Sequence, residues 1–591
     1  MKPRSTPRTG SVALVALLLV LTACGALPES GPVQHESAAR AVAPDDGQQF
    51  DAPGPGRGDT PDQVANGFLT AMTGNTATTT VARSFLSKSA RAEWNPARST
   101  LIYQVSSVRR ATDGTVGVRL SDAHHLDSRG GWLGSARRGD RRLSLSMVRE
   151  GGEWRIANPP DAVVIPEWYF ARWYRPFNLY FFDQTERILV PDRVYVRRGD
   201  QTSSTLVRAL LSGPGSDVAA VTRTEFPPQT QLDLSVPVAP DGTAEVPFSE
   251  QLLKLSSQKL VRAVAQLSWT LRQVPGLTRI RLTVGDAAVP LPDGRRDFSV
   301  QEGDAFAPTV RGASDQLVGL RDGKVVAIRG GAEEAVPGPF GRSGYSLRSI
   351  AARLDGKALA AVASDRRTVF VGPGSAAVGK GKSSRVKRIY AGTDVLRPSY
   401  DMFGDVWLVD NVNGRSRVLH VAGGREARVD IPGISGHGVK AFVVSRDGTR
   451  LVAVVDGAGR GDRLVTAALL RSADGAFSRA TAATEIDGVP SDLGDLRDVV
   501  WRSPNDLAVL GRPAKDVSQV AFVSLDGSPG DPTTIPPDSW PGNAIGLAGS
   551  PDPSLPLYLV TPTHQLLRLD GSSRWRGSSV SRGLLVPAYV G

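Results

Sequence analysis

The chain predicts a multidomain protein of mixed α+β and all-β class whose largest part is a C-terminal β-propeller. Three observations carry this. Turns centred on Asp355, Asp401, Asp447, Asn505 and Asp552 recur at spacings of 46, 46, 58 and 47, each leading into an apolar strand. Between residues 60 and 300, helix-period and strand-period stretches alternate in two different styles. A basic leader with an apolar run ends at the only cysteine, Cys24.

The leader carries Lys2, Arg4 and Arg8 ahead of the apolar run 12–21, which is too short to span a bilayer as a mature helix. Its end, Leu21-Thr22-Ala23-Cys24, resembles a bacterial lipobox. The resemblance implies removal of residues 1–23 and an N-palmitoyl, S-diacylglycerol cysteine at position 24. The competing account is a secretory leader with an incidental cysteine. Cleavage removes three basic residues and no acid, so the formal +11 becomes +8. Outside the cytoplasm that charge points to an anionic envelope or lipid headgroups, not to nucleic acid. The densest basic stretches, 137–142 and 380–388, lack the interleaved aromatics of a single-strand binder and read as solvated loops. With Cys24 lipidated, no disulfide, thiolate nucleophile or cysteine metal site is available, so stability must come from burial.

Residues 24–59 are small, polar and proline-bearing, and read as a tether of roughly 30 Å as a flexible coil. Thr60-Pro61-Asp62 starts a helix, with proline at the first helical position, and Val64, Phe68, Leu69 and Met72 repeat at helical spacing behind it. A second short helix is expected at 81–86, then strands at 101–108, 116–120, 143–148 and 154–156. The last two are joined by the hairpin turn Glu150-Gly151-Gly152-Glu153. Two helices followed by a curved sheet resemble an NTF2-like α+β cone over 60–165.

Nine of the fifteen residues 168–182 are aromatic. Trp168, Trp173, Tyr174 and Phe177 are therefore candidates for a stacking platform or partner anchor. Against this stands a buried, strand-bearing junction between the first and second modules, which the scarcity of charged breaks favours. The second module, 166–300, alternates strand 187–196, helix 205–211, strands near 231–236 and 243–246, a long helix, and strand 278–284. In the long helix Leu260, Val264, Leu267 and Leu271 fall on one face. Leu189-Val190-Pro191, the helix end Leu210-Leu211-Ser212-Gly213-Pro214, Phe226-Pro227, Ala265-Gln266-Leu267-Ser268-Trp269 and Ile280-Arg281-Leu282-Thr283-Val284 together resemble a GerMN domain, a small α/β sandwich. Gly213-Pro214 has a local role, since glycine ends the helix and proline prevents its continuation.

Over 310–591 the period near 46 without helical pattern is the length of a four-stranded propeller blade. The long interval of 58 assigns one blade a long loop; an irregular β-sandwich is the competing fold.

The sequence carries no catalytic or metal-binding pattern. The adjacent His124 and His125 point to opposite faces of a strand, and His35, His420, His437 and His564 sit in no zinc-ligand spacing. Residues 374–380 have phosphate-loop spacing, but Gly381 stands where Ser or Thr is needed and no helix follows. No nucleophile elbow is present. The expectation is a non-enzyme with no metal and no cofactor.

The order of lipobox, tether, NTF2-like cone, GerMN sandwich and propeller resembles the LpqB family of actinobacterial lipoproteins. That resemblance implies a lipid-anchored protein on the extracytoplasmic face of the cell membrane. It also implies a partner, the outer domain of the sensor kinase MtrB of the MtrA–MtrB two-component system, with effects on cell division, envelope homeostasis or development. The second reading is an envelope lipoprotein that binds peptidoglycan or another cell-wall polysaccharide, and the third a propeller hydrolase or lyase.

Overall fold

The computed structural model describes residues 52–590 apart from 75–78, 111–113, 310–315, 330–331, 343, 377–384, 458, 460, 572 and 579–582. Cys24, the lipobox residues Leu21, Thr22 and Ala23, His35 and nearly all of the tether therefore lie outside the described residues.

The first helix, Pro61–Ala71, starts at Thr60, whose N–H donates to the Gln63 side chain at 2.8 Å, supplying one of the donor partners a helix start lacks. Its apolar face buries Val64, Phe68 and Leu69. Short helices Thr80–Ser84 and Lys88–Glu93 follow. The second was not expected from the sequence. It is only six residues long and is held by its cap, Ser87, whose hydroxyl accepts from Ala90 N. Strands Thr100–Tyr103 and Val105–Arg110 are nearly continuous but join different four-stranded sheets, which bends the surface into a cone. Thr100–Tyr103 also pairs in parallel with Val163–Pro166.

The aromatic segment is not all strand. Residues Glu167–Trp173 form a helix, and Tyr174–Asp183 then runs as a long strand paired with Leu189–Arg197. Tyr169 and Phe170 close the first core, and Phe177, Leu179 and Phe181 open the second. Helix Ser257–Leu271 packs on this second core through Leu260, Val264, Leu267 and Leu271, all buried. Helix Thr202–Leu211 ends before Gly213, whose φ is +86°. The expected strand at 231–236 is a correction. The segment runs beside Thr243–Phe248, but the two touch only through single bridges, Leu232 to Phe248 and Val238 to Ala244. Pro237 and Pro247 carry no N–H, so the ladder cannot continue. On its other side Thr243–Phe248 pairs in parallel with Arg279–Val284.

Among the described residues the last part is six sheets arranged as blades. Blade one is unusual. Strands Leu317–Arg321, Lys324–Arg329 and Ala332–Ala335 are completed by the C-terminal strand Leu585–Tyr589, which takes the inner position. The inner strands of blades two to six are Leu347–Ala352, Ser399–Tyr400, Val439–Val444, Asp495–Trp501 and Gly546–Ala548. Six apolar clusters fill the six gaps between neighbouring blades. The one joining Leu317 and Val326 to Tyr558, Val560 and Leu566 closes blade six onto blade one. A closed ring leaves no inner edge unpaired.

In blades two to six the repeated turns connect the inner strand to the second strand, with an acid in all but blade five, where Asn505 stands. Asp355, Asp401, Asp447 and Asp552 each accept, through Oδ1, the N–H two residues on, at 2.9–3.0 Å. The carboxylate thus mimics a backbone acceptor and fixes the turn, which is why an acid recurs there. The interval of 58 belongs to blade four. There Phe477–Ala480 and Thr484–Glu485 both pair with Arg463–Arg471, giving a fifth strand.

Candidate functional site

The three modules meet on one strand, Leu189–Arg197. Toward the first module, Arg129 reaches Asp192 at 2.7 Å and the Gly213 carbonyl at 3.1 Å, while Asp127 holds the same guanidinium at 2.9 Å. Burial pushes the Asp192 carboxyl up, against the pull of Arg129 and of the Gly215 N–H. The turn carrying Arg129 lies against the strand backbone, with Tyr195 N donating to Gly130 O at 2.8 Å. Gly130 has φ +90°, and an added Cβ would run into the Tyr195 carbonyl, so only glycine fits.

Toward the propeller, Arg193 donates to Asp506 at 2.9 Å and to Ser524 Oγ at 2.6 Å. Tyr195 Oη donates to Ser528 Oγ at 2.9 Å and accepts from Gly530 N at 3.1 Å. Burial pushes its hydroxyl well above the ordinary tyrosine range. Asn505, the turn residue of blade five, bonds Asn178 at 2.9 Å. Charged side chains so withdrawn from water are tolerable only when paired. Here each pair joins two modules.

A cleft of about 540 Å³ opens where these contacts converge, lined by Trp132, Asp192, Ser216, Arg450, Thr484 and Asn505 among others. Asp192 and Arg193 in its lining are paired across the modules, whereas Arg450 Nε and Asp526 Oδ2 are buried with no hydrogen-bond partner. A second cavity, of about 410 Å³, sits in the propeller channel at the end where the inner strands begin.

The four aromatic candidates do not form a platform. Trp168 is 62% exposed, and its ring meets Tyr169 edge-on. Trp173 is flanked by the guanidiniums of Arg172 and Arg197, at 5.5 and 5.7 Å. Tyr174 stacks on Phe170, and Phe177 belongs to the second core.

Among the described residues, Asp401, Asp405 and His420 are the one group of three or more His, Asp and Glu side chains close enough to share an ion. Arg471 already bonds both carboxylates, and His420 Nε2 lies 2.9 Å from Asp405. The guanidinium supplies the positive charge, over the ring of Phe403 at 4.1 Å, and the group is a buried ion network tying blade three to blade four. His124 stacks on Trp132 at 4.8 Å, and burial lowers its pKa. His125 neighbours it on the same strand, while His437 and His564 sit in turns. The phosphate-loop spacing at 374–380 runs into 377–384, outside the described residues.

Sequence reasoning missed Arg129, Asp192, Arg193, Tyr195 and Asp506. A signal existed: Asp192 and Arg193 are adjacent charges inside the apolar run Leu189-Val190-Pro191-Asp192-Arg193-Val194-Tyr195-Val196. Such charges must find partners.

Comparison with known proteins follows the same three-part order. Residues 54–171 match the family model described as the N-terminal domain of lipoprotein LpqB, and 323–589 the model described as the lipoprotein LpqB beta-propeller domain. Between them, 178–289 match the family of sporulation and spore germination. Lipoprotein LpqB of Streptomyces coelicolor is 27% identical, covering 97% of this chain and 96% of that protein. The chain belongs to the LpqB lipoprotein family. A second relative, lipoprotein LpqB of Cutibacterium acnes, is 26% identical over 95% of this chain and 96% of its own length. Among solved structures, TolB from Acinetobacter baumannii aligns with 71% of this chain and 99% of its own, at 12% identity and a TM-score of 0.34.

As a member of the LpqB lipoprotein family the chain is membrane-associated. Among the described residues no helix is long and apolar enough to cross a membrane.

Proposed function

We propose that this LpqB-family chain is anchored by lipid on Cys24 at the extracytoplasmic face of the cell membrane. There it acts, without turnover, as an accessory partner of the sensor kinase MtrB of the MtrA–MtrB system, influencing cell division, envelope homeostasis or development. The observation that supports this most is the keystone strand Leu189–Arg197, whose Asp192, Arg193 and Tyr195 fasten all three modules through buried polar contacts. The charged groups of that strand, Asp192 and Arg193, are engaged in joining the modules. A body of this kind presents a fixed surface to a partner.

The mechanism is thermodynamic coupling. The lipoprotein binds one conformation of the sensor's outer domain better than the other, and shifts the kinase equilibrium by that difference in affinity and no more.

The test is retention of the mature protein, residues 24–591, on the immobilised outer domain of MtrB. Saturable retention supports the proposal. No retention, together with saturable binding to isolated cell wall, would move the function to the polymer-binding reading, for which the exposed Trp168 is a favourable side chain.

A further inference from the structure

The propeller channel has a two-sided mouth. Its 410 Å³ cavity carries cations from four consecutive blades: Arg348 and Arg366 from blade two, Arg397 from blade three, Lys440 from blade four and Arg497 from blade five. The remaining two blades contribute apolar groups, Ile545 from blade six and Val586 from blade one. Ile545 is 54% exposed at this rim. The pattern follows from the repeat, since Arg348, Lys440 and Ile545 each stand seven residues before the acid of their own blade's turn, Asp355, Asp447 and Asp552.

The floor is closed. Arg397 crosses from blade three to blade five, donating to Asp498 at 2.9 Å and to the Leu547 carbonyl at 3.3 Å, and Phe442 lies beside it. Below this level the channel offers only about 60 Å³. The mouth is therefore a blind cup of the size that holds small molecules.

Its charges are unequally satisfied. Arg366 pairs with Asp394 at 2.7 Å, and Lys440 with Asp462 and Asp495, both at 2.7 Å. Arg497 shares Asp495 with Lys440 and Arg512. Arg348 is exposed and bonds no described residue. In the wall beside it, Ser349, 7% exposed, has a buried hydroxyl with no hydrogen-bond partner. Five cations face two carboxylates, Asp394 and Asp498, in the lining itself.

We infer that this cup binds a small organic oxyanion, a carboxylate or phosphate monoester with an apolar body. The anionic end meets Arg348 and Arg497, and the body lies against Phe442, Ile545 and Val586. Guanidinium groups match both oxyanions through paired N–H donors. The inference is independent of the sensor reading.

Saturation-transfer NMR on the mature full chain tests it, with phenyl phosphate and benzoate as probes and benzyl alcohol and benzylamine as neutral and cationic controls. At least one anion should bind saturably; where both bind, each should displace the other, and the tighter identifies the headgroup. Binding should weaken at least tenfold in Arg348→Ala with Arg497→Ala, and measurably in Arg348→Ala alone, where no side-chain hydrogen bond or ion pair to a described residue is lost. It should be unchanged in Arg137→Ala with Arg138→Ala, a pair on a remote exposed loop. Equal binding of the controls, equal loss in the remote pair, or no saturable binding by either anion would overturn the assignment.

Discussion

Arg193 and Asp506 lie 2.9 Å apart across the boundary between the second module and the propeller, with their side chains 9% and 22% exposed. The same guanidinium holds Ser524, so one residue gathers two strands of blade five. Replacing Arg193 with Met removes the cation and leaves the carboxylate facing a largely dry boundary. The expected loss is about 3 kcal/mol of stability, read by urea unfolding, with the propeller and second module separating into two transitions. A single transition within about 1 kcal/mol of the wild type would show that the pair does not join the modules.

Gly130→Ala should loosen the opposite boundary. The residue sits at φ +90° with the Tyr195 carbonyl in the way of a Cβ, so strain of about 2 kcal/mol or more is expected. Limited proteolysis should release the first module from the variant while the propeller core stays intact. Equal resistance of variant and wild type would contradict the close backbone approach.

The ring should fail when its last strand is removed. A chain ending after Leu584 lacks Leu585–Tyr589, the inner strand of blade one, and exposes the edge of Leu317–Arg321. It also deprives the buried Arg446 of the Val590 carbonyl, which it bonds at 2.8 Å alongside the Thr309 carbonyl at 2.9 Å. The truncated protein should be insoluble or protease-labile. A soluble fragment with native melting would argue for blades that fold separately.

At the channel mouth Asp495 gives a pH dependence. Burial pushes its carboxyl up, but Lys440, Arg497 and Arg512 outweigh this and hold it below the ordinary 3.8. A depressed carboxyl contributes stability above its unfolded value and loses it as pH falls through the folded one. The melting difference between wild type and Asp495→Asn should therefore be present at pH 7 and shrink below about pH 4. A difference that grows on acidification would reverse the sign of the interaction.

Much of the propeller was legible because one physical device repeats. The turn acids Asp355, Asp401, Asp447 and Asp552 are each a local acceptor for a nearby N–H, and local devices leave a period in sequence. The helix face of Leu260, Val264, Leu267 and Leu271 was readable for the same reason. What was not legible depends on partners far away along the chain. Arg193 finds Asp506 and Arg129 finds Asp192 only after the modules dock. The segment 231–236 has strand-like composition, yet Pro237 and Pro247 deny it a ladder. The aromatic run 168–182 reads as one element in composition, whereas the structure divides it between a helix closing one core and a strand opening the next.

The central claim is that the lipoprotein biases the sensor by differential binding. It is tested most directly by reconstituting full-length MtrB in vesicles and measuring autophosphorylation as the lipidated protein is added. The account predicts a rate that changes and saturates with lipoprotein occupancy. An unchanged rate at full occupancy would contradict it.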